Sequence, residues 1–303
     1  MKRAQITVVV PLGEKSEDDV ISSIKNQEEK VKMVIEIGPN PPQNRNRGMK
    51  RASTPLIAFV NGHTILPSDW SRKIRLFFER YSSTDIVGGP QLTHPEETYF
   101  GKVSGYALAS LFGSAESSTR YIPRRTLSES DERYLTSANL ICRKHVFDSV
   151  LFDETLYPGE DPKFIADAKK AGFRIIYNPE IQVYNKRRKN IRELSRQIFT
   201  YGKTRSQQRD LSRMIRQPSF IVPSILVLYL ILFGFLASVH KVFVIPLGLY
   251  IVLTIFFSLY EGMKYRHLRA FFNLPFIFFS IHVAYGIGFL YGLFIGKSNE
   301  TKD

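Results

Sequence analysis

One cysteine, Cys142, and one tryptophan, Trp70, stand among 303 residues. A lone thiol excludes any intrachain disulfide and any zinc cluster built from cysteines. Acid is scarce as well, with 28 Asp and Glu against 42 Lys and Arg, a formal charge of +14. Internal repeats and low-complexity tracts are missing. The opening residues lack a charged stretch followed by a long apolar one, so 1–11 reads as a short strand and no cleaved leader is expected. The most informative absence is of charge itself: residues 220–239, 242–260 and 274–295 contain no Asp, Glu, Lys or Arg. Each run is close to the roughly 20 residues that cross a hydrocarbon core of about 30 Å. Buried helices of a soluble core usually keep a polar face. Three transmembrane helices are therefore expected.

What is present agrees with a membrane setting. Eleven Lys and Arg crowd between Lys186 and Arg216, directly before the first apolar run. Lys264, Arg266 and Arg269 lie between the second and third runs and must share a side with that collar, which the positive-inside rule assigns to the cytoplasm. The expectation is a multi-pass cell-membrane protein whose N-terminal domain is cytoplasmic, with the turn at His240 and Lys241, and the stretch after Gly296, outside. A cation near anionic lipid is worth about 1 kcal/mol. Membrane adhesion thus accounts for the basic excess, and nucleic acid is not an expected partner. The expected division is a soluble domain at 1–190, a basic interfacial segment at 191–216 and a three-span region at 217–303.

Within the soluble part, apolar runs alternate with amphipathic segments. Residues 6–10, 31–37 and 56–60 read as strands, 20–26 and 48–52 as helical, so the order is strand, helix, strand, helix, strand. That order implies a mostly parallel, Rossmann-like sheet with helices on its faces. Ligands of such sheets bind beyond the carboxyl ends of the strands, which directs attention to 11–14, 36–40 and 61–64. Adjacent carboxylates, Glu160 and Asp161, follow a Tyr157-Pro158-Gly159 turn and open a helix-like stretch. Neighbouring carboxylates in one site tend to separate in pKa and in role. On spacing alone an Asp at that position is more often a helix cap than a general base; as a base, Asp161 would be oriented by its neighbour Glu160.

Several motifs recur in order over nearly the whole soluble part: Val8-Val9-Val10-Pro11, Arg45-Asn46-Arg47-Gly48, Phe59-Val60-Asn61-Gly62-His63-Thr64, Gly88-Gly89-Pro90, Ser137-Ala138-Asn139, Gly159-Glu160-Asp161 and Tyr201-Gly202. Together they resemble the nucleotide-sugar-dependent glycosyltransferases of family 2, which share the GT-A fold, and most nearly the succinoglycan-type members with C-terminal membrane helices. The resemblance implies an α/β GT-A domain that moves a sugar, with inversion, from a nucleoside diphosphate to a membrane-linked saccharide or polyprenyl-phosphate acceptor. Pro11, Glu36, Asn61 and Asn139 would then contact the nucleotide sugar. Arg45 would hold the diphosphate, since a guanidinium meets two phosphate oxygens at once.

This chain departs from the family where a divalent cation is usually held. Asn61 and His63 replace the paired Asp, and Asn185 stands where many relatives have His. Manganese or magnesium binding is expected to be weakened, because hard cations prefer carboxylate oxygens. On the acceptor side, Gln197, Tyr201, Arg205 and Arg209 lie on a segment whose Ile191, Leu194, Ile198 and Tyr201 recur at helical spacing. It reads either as a helix in the headgroup layer or as one packed into a core. Residues 99–133 read as an acceptor-side loop or lid. The Gln-x-x-Arg-Trp pattern of processive synthases is missing. A catalytically weakened, sugar-nucleotide-binding scaffold or partner subunit is the alternative that Asn61 and Asn185 motivate.

Overall fold

Every residue from Ile6 to Val10 is buried, the mark of a strand covered on both faces. In the computed structural model, which describes residues 5–13, 18–123, 126–207 and 218–295, this run is β1 (Ile6–Leu12). There follow α1 (Asp18–Lys25), β2 (Lys32–Ile37), α2 (Pro41–Arg51), β3 (Leu56–Phe59), β4 (Thr64–Ile65), α3 (Trp70–Arg80), β5 (Ile86–Gly88) and β6 (Gln91–Thr93). Next come α4 (Tyr99–Ala109), α5 (Leu111–Ser114), β7 (Ser128–Glu129), β8 (Leu140–Arg143), α6 (Glu160–Lys170), β9 (Ile175–Tyr177), β10 (Val183–Asn185) and α7 (Ile191–Gln207). Three long helices complete the order: α8 (Val222–Val239), α9 (Ile245–Lys264) and α10 (Leu274–Ile295).

The chain forms two compact units. One comprises Met1–Glu96 and Thr119–Lys186, the other Glu97–Ser118 and Arg187–Asp303. The first is a mixed α/β unit whose seven-stranded sheet has the order β2-β1-β3-β8-β5-β9-β7. Strands β8 and β7 run against the rest, so the sheet is mostly parallel, as expected. Alternation along β1 sends Val8 and Val10 into a layer with Trp70, Ile74 and Phe77, and Val9 into a layer with Phe59, Phe147 and Phe164. A small second sheet, β4-β10-β6, joins the turn after β3 to the strand before Lys186.

Two local differences from the expected elements matter for the site. Strand β1 does not stop at Pro11 but runs through it, pairing Pro11 with Glu36. Val9 directs its carbonyl toward Val60, so Pro11, two residues on, turns its nitrogen to the same edge. There β3 has already ended, and the missing N–H breaks no ladder bond. Helix α2 begins at Pro41 rather than near Gly48, because Asn40 accepts from the Gln43 N–H and proline occupies the first turn. Arg45 consequently sits inside a helix instead of at its start.

In the second unit, the expected loop at 99–133 is helical over its first part. Thr98 caps α4 through the Gly101 N–H, and Val103, Ala107 and Leu108 are buried at helical spacing. Helices α8, α9 and α10 are each long and apolar enough to cross a membrane. The chain is read accordingly as membrane-associated. Helix α7 packs along α10, where a Cβ on Gly202, Gly288 or Gly292 would collide with the opposing backbone. The inner face of the expected amphipathic stripe, Leu194 and Ile198, is buried, whereas Ile191 and Tyr201 are exposed. Core packing thus claims half of that stripe.

Candidate active site

Arg45 organises the centre of the first unit. Its side chain is 4 % exposed, and it donates from Nη1 to Glu160 Oε1 at 2.7 Å and from Nη2 to Asn61 Oδ1 at 3.1 Å. Asp161 Oδ1 lies 3.8 Å from Nη1. The guanidinium also faces the Phe152 ring at 5.4 Å, and Phe152 stacks on Phe164 of α6 at 4.3 Å. One cation therefore meets the end of β3, through Asn61, and the N-terminus of α6, through both carboxylates.

The sequence explains how the carboxylates arrive there. Gly159 precedes α6 at φ 117°, a backbone region that favours glycine. The following two residues then fall in the first turn of α6, where the exposed N–H groups and the helix dipole favour negative charge. The loop leading in is fixed by Asn46, whose Nδ2 donates to Phe152 O and to Glu154 Oε1, both at 2.9 Å, and whose Oδ1 accepts from Phe152 N at 3.1 Å. Asn40 adds a bond to Glu154 O. Asn46 is the positioning residue that sequence reasoning missed; its only signal was its place inside the Arg45-Asn46-Arg47-Gly48 motif.

Electrostatics differ across the pair. Burial first, and then the charge of Asp161, push the Glu160 carboxyl up to about 7 against the opposing pull of Arg45. Asp161 is more open, 19 % exposed at its side chain, and its Oδ1 has no hydrogen-bond partner in the structure. A buried carboxylate oxygen without a hydrogen bond is unusual; this one keeps only the ion-pair approach of the Arg45 guanidinium. It leaves Asp161 with an oxygen that can accept a proton.

The other expected site residues are placed as follows. Pro11 and Glu36 are register partners at the ends of β1 and β2. Glu36 is engaged by Arg51 at 2.6 Å and Arg47 at 3.8 Å. Asn139 lies in the core, where Oδ1 accepts from Trp70 Nε1 at 3.2 Å and Nδ2 donates to Ile181 O at 2.7 Å. Both amide atoms are thus bonded inside the core, where the residue is buried. Arg45 is likewise committed to Glu160 and Asn61, so the expected phosphate grip becomes a clamp on the carboxylates. Gln197, Tyr201 and Arg205 are on α7 in the second unit, where Gln197 bridges Arg188 and Tyr201 and Arg205 lies over the Phe220 ring at 4.1 Å. Arg209 falls outside the described residues.

The described residues do not fit a cation held by the chain itself. No three His, Cys, Asp or Glu side chains among them come together. Asn61 Oδ1 already faces the Arg45 guanidinium, whose charge would repel a cation. His63 sits in the turn between β3 and β4, and its carbonyl accepts from Lys186 N. Asn185 is buried between Thr64 and Gln91.

No curated protein sequence matches the chain. A crystal structure of TarS from S. aureus aligns with a TM-score of 0.43 and 14 % identity over 65 % of this chain and 39 % of that one. The chain thus spans about two fifths of that structure's length. The family model for glycosyl transferase family group 2 matches residues 56–291, a stretch that includes Asn61, Glu160, Asp161, α8, α9 and most of α10. On that match over most of its length, the chain belongs to glycosyl transferase family group 2.

Proposed function

We propose that the chain is an inverting glycosyltransferase that takes a sugar from a nucleoside-diphosphate donor and places it on a membrane-linked saccharide or polyprenyl-phosphate acceptor. The observation that carries this reading is the Glu160–Asp161 pair at the start of α6, with Asp161 Oδ1 without a hydrogen bond and 3.8 Å from the Arg45 guanidinium. Asp161 is the base. Its carboxylate takes the proton of the acceptor hydroxyl as that oxygen bonds to the anomeric carbon; the bond from that carbon to the diphosphate breaks, and the diphosphate leaves with the electron pair. Inversion follows from one direct displacement, the course that family membership implies. Glu160 and Arg45 hold the base in place, and Pro11 with Glu36 at the strand ends receives the nucleoside. Membrane helices in the same chain favour a lipid-linked acceptor, and the basic residues around 186–216 favour a cytoplasmic first unit by the positive-inside rule.

Donor turnover by the purified full chain tests the assignment. Asp161→Asn is expected to lower turnover by roughly 10²- to 10⁴-fold, the usual contribution of a positioned base, with an unchanged melting temperature. Undiminished turnover would remove Asp161 from the reaction. A folded wild-type chain that binds donor without turning it over would favour the scaffold reading.

A further inference from the structure

A helix that is apolar and bare on its sides needs lipid there, and α9 is bare on all but one face. Its 20 residues measure about 30 Å, the thickness of the hydrocarbon core. Ile251, Val252, Leu253, Ile255 and Phe256, at its centre, are all largely exposed and cover about 200° of its circumference at 100° per residue. The remaining face holds Tyr250 and Phe257, with Thr254 and Ser258 buried between and beside them. Phe112 covers it. That ring stacks on Phe257 at 5.0 Å and meets Tyr250 at 5.9 Å, and it lies edge-on to Phe278 at 5.2 Å and His282 at 4.8 Å of α10. Residues 250 and 257 straddle the midpoint of α9, so Phe112 stands at mid-span whichever end of α9 enters first.

Phe112 comes from the segment Glu97–Ser118, which interrupts the first unit: the chain leaves that unit after Glu96 and returns to it at Thr119. Its helices α4 and α5, of 11 and four residues, are too short to cross. Helix α4 starts beside the turn that joins α9 to α10. There Tyr99 Oη donates to Arg269 O at 3.1 Å and accepts from Asn273 Nδ2 at 2.9 Å, and Tyr106 stacks on Tyr265 at 4.1 Å, tyrosines of the kind that collect at a membrane surface. Tyr265 is about 17 Å along α9 from the level of Phe112. Past α4 the chain is extended at Ser110, and α5 folds against the end of α4, where a Cβ on Gly113 would collide with the Ala107 carbonyl. Ala115 follows at φ 47°, and the chain heads back to the first unit.

A chain that turns inside hydrocarbon must still satisfy its backbone, and does so only against protein. The four residues of α5 leave carbonyls with no helical successor, and His282 meets one of them. Its Nε2 faces Phe112 O at 2.8 Å and so carries the hydrogen, leaving Nδ1 to accept from Tyr250 Oη at 3.0 Å. A polar side chain in the middle of an apolar run thereby gains a use. We infer that residues 97–118 form a re-entrant hairpin, which dips from the turn between α9 and α10 to the middle of the bilayer and leaves on the side it entered, its tip tied to His282. Leu111, at that tip, is 65 % exposed, at the depth where α9 presents its bare apolar sides. Acyl chains are the partner this surface fits.

Nitroxide depth measurements on the full chain, reconstituted in vesicles of phosphatidylcholine and phosphatidylglycerol, test this independently of any catalytic reading. Cys142 is buried and its thiol is pushed well up by burial, so it can stay. A label on Leu111→Cys should be relaxed by dissolved oxygen and not by a water-soluble nickel chelate. Its depth should match that of a label on Val252→Cys, at the centre of α9, and lie roughly 15 Å deeper than one on Met263→Cys, near the end of that helix. A Leu111→Cys label that the nickel chelate reaches, or that lies at the Met263→Cys level, would overturn the inference, as would a Val252→Cys label outside the hydrocarbon. A second measurement needs no nitroxide: in opened membranes a membrane-impermeant maleimide should label Glu96→Cys, an exposed position just before the hairpin, and spare Leu111→Cys until detergent and denaturant are added. Equal labelling of the two in intact bilayers would return 97–118 to the water.

Discussion

Arg45→Met is the most demanding perturbation of the site. The substitution keeps the aliphatic bulk beside Phe152 and deletes the guanidinium that meets Glu160 at 2.7 Å, both side chains being about 95 % buried. Removing one member of a buried pair leaves an uncompensated charge and costs about 3–5 kcal/mol. At 2–4 °C per kcal/mol for a domain of 150–250 residues, the melting temperature should fall by about 10 °C. Trp70 is the only tryptophan, is fully buried in the first unit and donates to Asn139. Its fluorescence in the detergent-solubilised chain therefore follows that unit alone. Protonation neutralises the orphaned Glu160, so the loss should be larger at pH 8 than at pH 5.5. Adding Glu160→Gln to Arg45→Met should recover part of it, because the stranded charge is gone. A loss under about 1 kcal/mol, or a double variant no better than the single one, would mean that Arg45 and Glu160 are not a desolvated pair.

Three further outcomes follow from the same geometry. The Glu160 carboxyl is raised from 4.5 to about 7, so its contribution to stability is full below about pH 4.5 and is lost as pH rises through 7; that is a slope of about 3 kcal/mol in all, which Glu160→Gln should remove from the Trp70 melting curves. Manganese alone, without donor, should leave the melting temperature within about 1 °C, since a cation with no carboxylate ligands on the chain adds little binding energy. Gly288→Leu should destabilise the α7–α10 contact by about 1–3 kcal/mol, seen as an earlier loss of helical circular dichroism with the Trp70 transition unchanged.

Periodicity made the strands and long apolar helices legible. Ile6–Val10, the region of β2, Leu56–Val60 and 274–295 were all readable, because burial on two faces or immersion in lipid leaves its mark residue by residue. Helix α4 was not readable as such, because its Ser and Gly content resembles a loop until the capping bond of Thr98 and the aromatic partners around residue 267 are present. The Glu160–Asp161 pair could be found in sequence since its chemistry is local. The role of Arg45 could not: its partner Glu160 is 115 residues away, and nothing in a linear motif distinguishes an arginine that grips a ligand from one consumed by its own protein. Asn139 is the same lesson in reverse, a motif residue whose amide holds Trp70 to the strand after it.

The bond from His282 to the Phe112 carbonyl joins residues 170 positions apart. Translation at about 5–20 residues per second separates their synthesis by roughly 10 to 35 s. For most of that interval the aromatic wedge of α5 lacks its ring partners, since Tyr250, Phe257, Phe278 and His282 all follow it in the chain. A chaperone or the lipid surface must shield it until the last helix leaves the ribosome, and nascent chains arrested before residue 274 should be the ones that aggregate.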